Sequence, residues 1–289
     1  MATRAIVVGG TSGIGYAMAC RVAAEGGSAK VIISGRTKPE KIPYPNMEFR
    51  PLDATSMSQI KKYTDTFKSV PDRELDLLIM SQGIMSMAGR TEVEGIDRKM
   101  ALHYYGKQLL IRELLPILKA DGKVIIVYDG KTGNPNKLLW NDLDLKRHYS
   151  LSTAANNCMV MNDIMIQHYA SSQQQDTKDG KRRHFVHAYP GGVDTGLLRN
   201  LPWYLQALAR TLAPLITVTP DTCAQYLLNG VSERATAAAA ADAEGEVKYW
   251  SNIDNKGRLI TDKAVWNEEQ MNTVANHTWN LIDEAIKSG

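Results

Sequence analysis

Short β-branched apolar runs alternate along this chain with longer stretches whose apolar residues recur at helical spacing. The runs predict strands at Arg4–Val8, Lys30–Ser34, Met47–Arg50, Leu75–Met80, Lys123–Val127 and His184–Ala188, with a last one near Val247–Tyr249. The longer stretches predict helices at Tyr16–Glu25, Ser56–Val70, Asp97–Leu118 and Ser150–Ala170, one starting near Pro220 and one over Asn267–Lys287. Ser56 and Thr219 are suited to cap the helices they precede. The Ala-rich piece Ala235–Ala241 either extends a helix or forms a surface loop. Strand and helix taking turns in this way predict a parallel sheet covered on both faces, a doubly wound α/β domain.

One turn carries chemistry. Between the first strand and first helix lies Gly9-Gly10-Thr11-Ser12-Gly13-Ile14-Gly15. Glycines in a strand–turn–helix context let backbone N–H groups approach a pyrophosphate, whose charge rests at the helix N-terminus. The fold expected is therefore a Rossmann-type dinucleotide-binding domain. At the end of the second strand, where an acid would hold the ribose hydroxyl of NAD, the chain has Arg36. A guanidinium suits a 2′-phosphate through forked, charge-assisted contacts, so NADP(H) is expected over NAD(H). Asp53 and the turn Ser81-Gln82-Gly83 follow the third and fourth strands, where ligands of open parallel sheets gather.

Composition narrows the class. The chain has 289 residues, 44% hydrophobic and 22% charged, with no linker-like block or repeat. One domain over 1–289 is expected. A net charge of +3, with both signs mixed, gives no argument for nucleic acid. No apolar run reaches the ~18 residues of a membrane span. Three cysteines, Cys20, Cys158 and Cys223, fall in predicted helices and fit a reducing compartment, so a cytoplasmic protein is expected. No metal-ligand spacing is present, and no metal is expected. The apolar segment Gly196–Val218, with Trp203 and Tyr204, reads as a lid over a bulky apolar ligand, the lid running over about 191–218, or as a dimer contact.

Taken together, these residues resemble the short-chain dehydrogenase/reductase family over essentially the whole chain. Gly9, Gly13 and Gly15 match its cofactor turn, and Ser81-Gln82-Gly83 stands where it usually has Asn-Ala-Gly. Tyr149 opens the phrase Tyr149-Ser150-Leu151-Ser152-Thr153, and Pro190-Gly191 with Thr195 matches the nicotinamide-side loop. The resemblance implies a cofactor site made of Gly9, Thr11, Ser12, Gly13, Ile14, Gly15, Arg36, Asp53, Ser81, Gly83, Pro190, Gly191, Val193 and Thr195. It also implies a homodimer paired through the two long central helices. The C-terminal third is similar to fungal secondary-metabolism members.

In the family a Tyr acts as acid or base, and a Lys four residues on lowers its pKa and holds the ribose. A Ser orients the substrate oxygen and a helical Asn completes a proton relay. Here Tyr149 matches, but the Lys position is Thr153, the relay Asn aligns with His103, and the Ser is replaced by Tyr128-Asp129. Thr132 is the nearest hydroxyl. Without a cation, Tyr149 keeps a pKa near 10 and is phenolate in only about one molecule in a thousand at pH 7. It is a poor base yet still a hydrogen-bond or proton donor. Tyr128 is a candidate oxygen-orienting donor, and Lys131 or Lys146 a candidate source of positive charge. Three functions stay open: NADP(H)-dependent reduction of a carbonyl on a bulky apolar natural product, a non-redox cyclisation or isomerisation, and non-catalytic NADP(H) binding. His184 and His187 read as strand packing rather than chemistry.

Overall fold

A computed structural model describes residues 3–26, 29–69, 74–175, 182–195, 217–241 and 248–289. Seven parallel strands form one sheet: β1 (Arg4–Val8), β2 (Lys30–Gly35), β3 (Met47–Pro51), β4 (Leu75–Met80), β7 (Leu118–Val127), β8 (His184–Ala188) and β9 (Trp250–Ile253). Their order across the sheet is β3-β2-β1-β4-β7-β8-β9. A hairpin of β5 (Glu92–Val93) and β6 (Ile96–Asp97) lies apart from it. The doubly wound arrangement expected from the alternation is the one present.

Period-2 alternation in the strands builds two cores. Ile6, Val8, Leu78, Met80, Val124 and Ile126 enter one, while Ala5, Val7, Leu77, Ile79, Ile125 and Val127 enter the other. Each fully buried Val, Leu or Ile contributes about 1.5–3 kcal/mol relative to exposure. The second core is covered by α1 (Gly13–Ala24) and α6 (Pro220–Ala241). The first is covered by α2 (Met57–Lys68), α4 (Gly106–Leu114), α5 (Leu151–Gln175) and α7 (Glu268–Ser288).

Ser56 caps α2 by accepting from the Gln59 amide, as expected, and Thr219 does the same for α6 through the Thr222 amide. Ala235–Ala241 belongs to α6. Two expectations fail. The last strand lies at Trp250–Ile253, after the predicted Val247–Tyr249: Tyr249 is buried, yet pairing on β8 starts at Trp250 opposite Phe185. The long helix predicted over Asp97–Leu118 is three pieces, α3 (Arg98–Met100), a π-helical turn at Ala101–Tyr105, and α4. Pro116 then breaks it into a 3-10 turn, so Leu118 already belongs to β7. A wide π turn frees a carbonyl from helical pairing, and here Asn162 of α5 donates to the carbonyl of His103 at 3.0 Å. Val70, Val247 and most of the expected lid, residues 196–216, lie outside the described residues.

Two buried ionisable groups hold the carboxyl edge of the sheet. Lys107 of α4 is fully buried and donates to the carbonyls of Met80 (2.9 Å) and Val127 (3.2 Å), the last residues of adjacent β4 and β7. Burial pushes its pKa down to about 7. Asp163 of α5 receives His187 Nδ1 of β8, Asn252 Nδ2 of β9 and Lys263 Nζ, each at 2.6 Å.

Lys107 gives a pH signature. The unfolded chain binds a proton at this lysine up to about pH 10.4. The folded chain releases it near pH 7, so from about 7 upward the unfolded state holds more protons. This site's contribution to stability is lowest below pH 7 and rises with pH above it. Urea unfolding at pH 7–9 should show the slope of stability against pH falling by up to about 1.4 kcal/mol per unit in Lys107→Met. Asp163→Asn should cost about 3–5 kcal/mol in the same assay, because Lys263 is left buried and uncompensated.

Candidate active site

The glycine turn lies where the sheet opens at its carboxyl edge. Gly9 has φ +79 and faces the Gln82 amide, from which a Cβ at position 9 would stand only 2.4 Å away. A side chain there would be strained and would displace the strand β4 exit. Helix α1 begins at Gly13 with Ser12 in the N-cap position, extended and making no side-chain capping bond. The first amides of α1 are therefore left to an incoming anion. Ile14 packs its side chain into the core beneath.

Around this turn the structure gathers the other expected cofactor residues. Thr11 lies against Gly35, next to the exposed Arg36, which makes no hydrogen bond or ion pair among the described residues. The Ser81 hydroxyl donates to the carbonyls of Gly9 (3.2 Å) and Val8 (3.4 Å), closing the turn onto β4. Asp53 uses Oδ1 on the amide and hydroxyl of Thr55. On the far side, Thr195 packs its methyl against Gly13, and Val193 bridges to Val218. The carbonyl of Pro190 accepts from the Cys223 thiol, and Gly191 has φ +68 against Asn255. Gly83 abuts the imidazole of His103.

Gln82 is a residue the sequence did not single out. It is 8% exposed, and among the described residues neither its amide oxygen nor its amide nitrogen has a partner. Leaving such a group unpaired costs about 1–3 kcal/mol. Together with the uncapped α1, it marks a cleft built to be completed by a polar ligand. Among the described residues there is no group of three or more His, Cys, Asp or Glu able to hold a metal.

Two of the catalytic candidates, His103 and Tyr128, adjoin this cleft through Gly83. His103, in the π turn, accepts the Ile84 amide at Nε2 (3.1 Å), so its proton is on Nδ1. Burial first, then the charges of Lys107 and Lys99, push its pKa down to about 3, and the ring is neutral. Tyr128 stacks on His103 with centroids 4.7 Å apart and more distantly on His187 at 6.3 Å. Its hydroxyl makes no hydrogen bond among the described residues, and burial raises its pKa well above 10. His187 packs on its strand, and its hydrogen bond to Asp163 makes it a support of Tyr128 as well.

Four of the other candidates are engaged away from Tyr149. Thr153 does not bond Tyr149: its hydroxyl meets Ser150 Oγ at 2.5 Å, a short-range competitor at the helix start. Thr132 is held by Asp129 Oδ2 at 2.5 Å. Neither Lys131 nor Lys146 supplies charge to Tyr149, since Lys131 lies 5.8 Å over the Tyr189 ring and Lys146 pairs with Asp144. The cation at Tyr149 is Lys99, whose Nζ donates to the phenol oxygen at 3.2 Å. Burial first, and then the Asp97 carboxylate, push Tyr149 up to about 12, with the Arg90 guanidinium opposing. At pH 7 the phenol is ionised in only about one molecule in 10⁵.

Comparison with known proteins agrees with this construction. The family model described as short chain dehydrogenase matches residues 3–138. The oxidoreductase AN1596 of Emericella nidulans is 32% identical over 68% of this chain, and the chain spans 60% of that relative's length. A polyprenol dehydrogenase of Danio rerio is 28% identical over 83% of this chain and 75% of its own. A short-chain dehydrogenase/reductase from Burkholderia multivorans, solved with bound NADP, superposes with a TM-score of 0.59 at 15% identity, over 90% of this chain and 99% of that one. Sheet order, glycine turn and relatives converge, and the chain belongs to the short-chain dehydrogenase/reductase superfamily.

Proposed function

We propose that the protein is an NADPH-dependent reductase acting on a carbonyl group of a bulky apolar molecule. The observation that carries this reading is a glycine turn whose helix N-terminus is uncapped, together with a phenol, Tyr149, that stays protonated and holds Lys99 at its oxygen. The residues present fit the cofactor. The pyrophosphate would lie on the amides of Gly13, Ile14 and Gly15, with Arg36 at a 2′-phosphate and the buried, unpartnered Gln82 amide facing the cleft as a polar contact. When bound, NADPH supplies hydride to the carbonyl carbon.

The chain's own residues do the rest. Tyr149, protonated throughout the physiological range, donates its proton to the carbonyl oxygen as negative charge develops there. The uncommitted Tyr128 hydroxyl, fixed by its stacked imidazoles, orients the same oxygen in place of the family's serine. His103, neutral with its proton on Nδ1, stands at the relay position. Alcohol oxidation would need the phenolate, which is scarce at every physiological pH, so reduction is the favoured direction.

Met85 and Met87 support an apolar substrate. They are 40% and 63% exposed on the loop whose Ala88 and Gly89 carbonyls share Lys99 with Tyr149. A second reading, non-redox isomerisation or cyclisation, is favoured by the absent helical lysine: Thr153 has no charge with which to hold a ribose.

Calorimetric titration separates the two. NADPH should bind in the micromolar range, and Arg36→Ala should weaken it by at least about tenfold while leaving NADH little changed. Product formation without any nicotinamide binding would decide for the non-redox reading. In carbonyl reduction, Tyr149→Phe should lower kcat by about 10²–10³-fold. The wild-type kcat should be flat in pH over 6–10, because the group stays protonated below about 12. A kcat that falls through a midpoint near pH 8 would mean that Tyr149 is not the acid.

A further inference from the structure

We propose that Lys99 is the positioning residue for the proton donor: its ammonium occupies a lone pair of the Tyr149 oxygen and turns the phenolic proton away from itself, to Asp97 in the free protein and to the substrate oxygen in the complex. This rests on the reading of Tyr149 as the acid. An ammonium has three donors and no acceptor. Those of Lys99 match three oxygens, Ala88 O at 2.8 Å, Gly89 O at 3.0 Å and Tyr149 Oη at 3.2 Å. Lys99 is 8% exposed, so this is its full complement of partners in a nearly dry place. Its Nζ is 5.7 Å from the Tyr149 ring centroid but 3.2 Å from the oxygen, and so approaches the oxygen end rather than the ring face.

Since Lys99 cannot accept, the phenol oxygen must, and its own hydrogen is turned to the Asp97 carboxylate, whose hydrogen bond helps to raise the phenol's pKa. The stem is fixed too: the Lys99 amide donates to Asp97 Oδ1 at 3.1 Å at the start of α3. The charged and titratable groups facing the phenol are Asp97, Arg90, Cys158 and Lys99. Asp97 raises its pKa while Arg90 opposes. The other two oxygens on Lys99 belong to the loop that carries Met85 and Met87. One cation thus sets both the phenol and the apolar wall beside it, so that substrate position and proton donor move together. In the family the corresponding charge comes from four residues along the same helix; here it comes from the other side of the ring.

The test titrates the phenol in the full-length protein without cofactor or substrate. A single fluorotyrosine replacing Tyr149, followed by fluorine NMR, reports that phenol alone and ionises at lower pH than tyrosine. Lys99→Met should raise its midpoint by about one unit, a tenfold change in the ionisation constant, and Lys99→Arg should recover at least half of that. In the unlabelled enzyme, Lys99→Met should lower kcat for carbonyl reduction about tenfold or more at unchanged KM for NADPH, again with rescue by Lys99→Arg. An unchanged midpoint in folded Lys99→Met overturns the proposal; if that variant does not fold, Lys99→Gln, neutral but still a donor, is titrated with the same expectation and the same overturning result. Absence of NADPH binding would overturn the reductase reading and leave the titration to judge Lys99 by itself.

Discussion

The carboxyl edge of this sheet is organised by one buried amine. Parallel strands end with carbonyls that no neighbour completes, and β4 and β7 end side by side at Met80 and Val127. Lys107 supplies hydrogen bonds to both. A neutral amine has two N–H groups and meets both carbonyls without a buried charge, which is why a pKa near 7 is tolerable in full burial. Fixing that side chain fixes the face of α4, and with it the π turn that precedes it. His103 then reaches the Ile84 amide, and Tyr128 has a flat surface to lie on. Removing the clasp would loosen the site before it loosened the core.

The charges at Tyr149 follow from the same economy. Asp97 is nearly fully buried, and its oxygens are occupied by the amides of Thr91, Lys99 and Met100, as a helix cap requires. Its negative charge falls on the phenol as a by-product of capping. Lys99 and Arg90 answer it without cancelling it, because Arg90 is also engaged by Glu92 and by the carbonyls of Asp144 and Leu145. A site with a capping carboxylate on one side and a shared cation on the other holds a phenol in place and keeps it protonated.

What the sequence disclosed follows from the range of the forces involved. The strands, the glycine turn and the caps at Ser56 and Thr219 are local, fixed by residues within a few positions, and these were legible. Lys99 to Tyr149, Lys107 to the strand ends, and Asp163 to Lys263 join residues far apart in sequence, and no periodicity marks them. Thr153 shows the opposite failure: at helical spacing from Tyr149, it was drawn to the nearer Ser150 hydroxyl. The π turn had no sequence signal, since the apolar spacing of Ala101–Tyr105 is compatible with an ordinary helix. Gln82 could have been found, because a long amide where the family carries alanine needs a partner.

The absent helical lysine bears on direction more than on whether chemistry occurs. In the family that residue performs two tasks, holding the ribose and lowering the phenol's pKa. Lys99 has all of its N–H groups engaged, one on the phenol and two on loop carbonyls, and none remains for a ribose. Its charge is also outweighed, since the phenol still rises to about 12. The chain therefore keeps the orienting half of the family's device and gives up the acidifying half. For a base that loss is severe: at pH 7 it leaves ionised only about one phenol in 10⁵. For an acid the loss is one of strength alone, because the protonated, oriented phenol is already the donating form. The same substitution weighs more heavily on alcohol oxidation, which needs the scarce phenolate, than on carbonyl reduction, which starts from the abundant phenol.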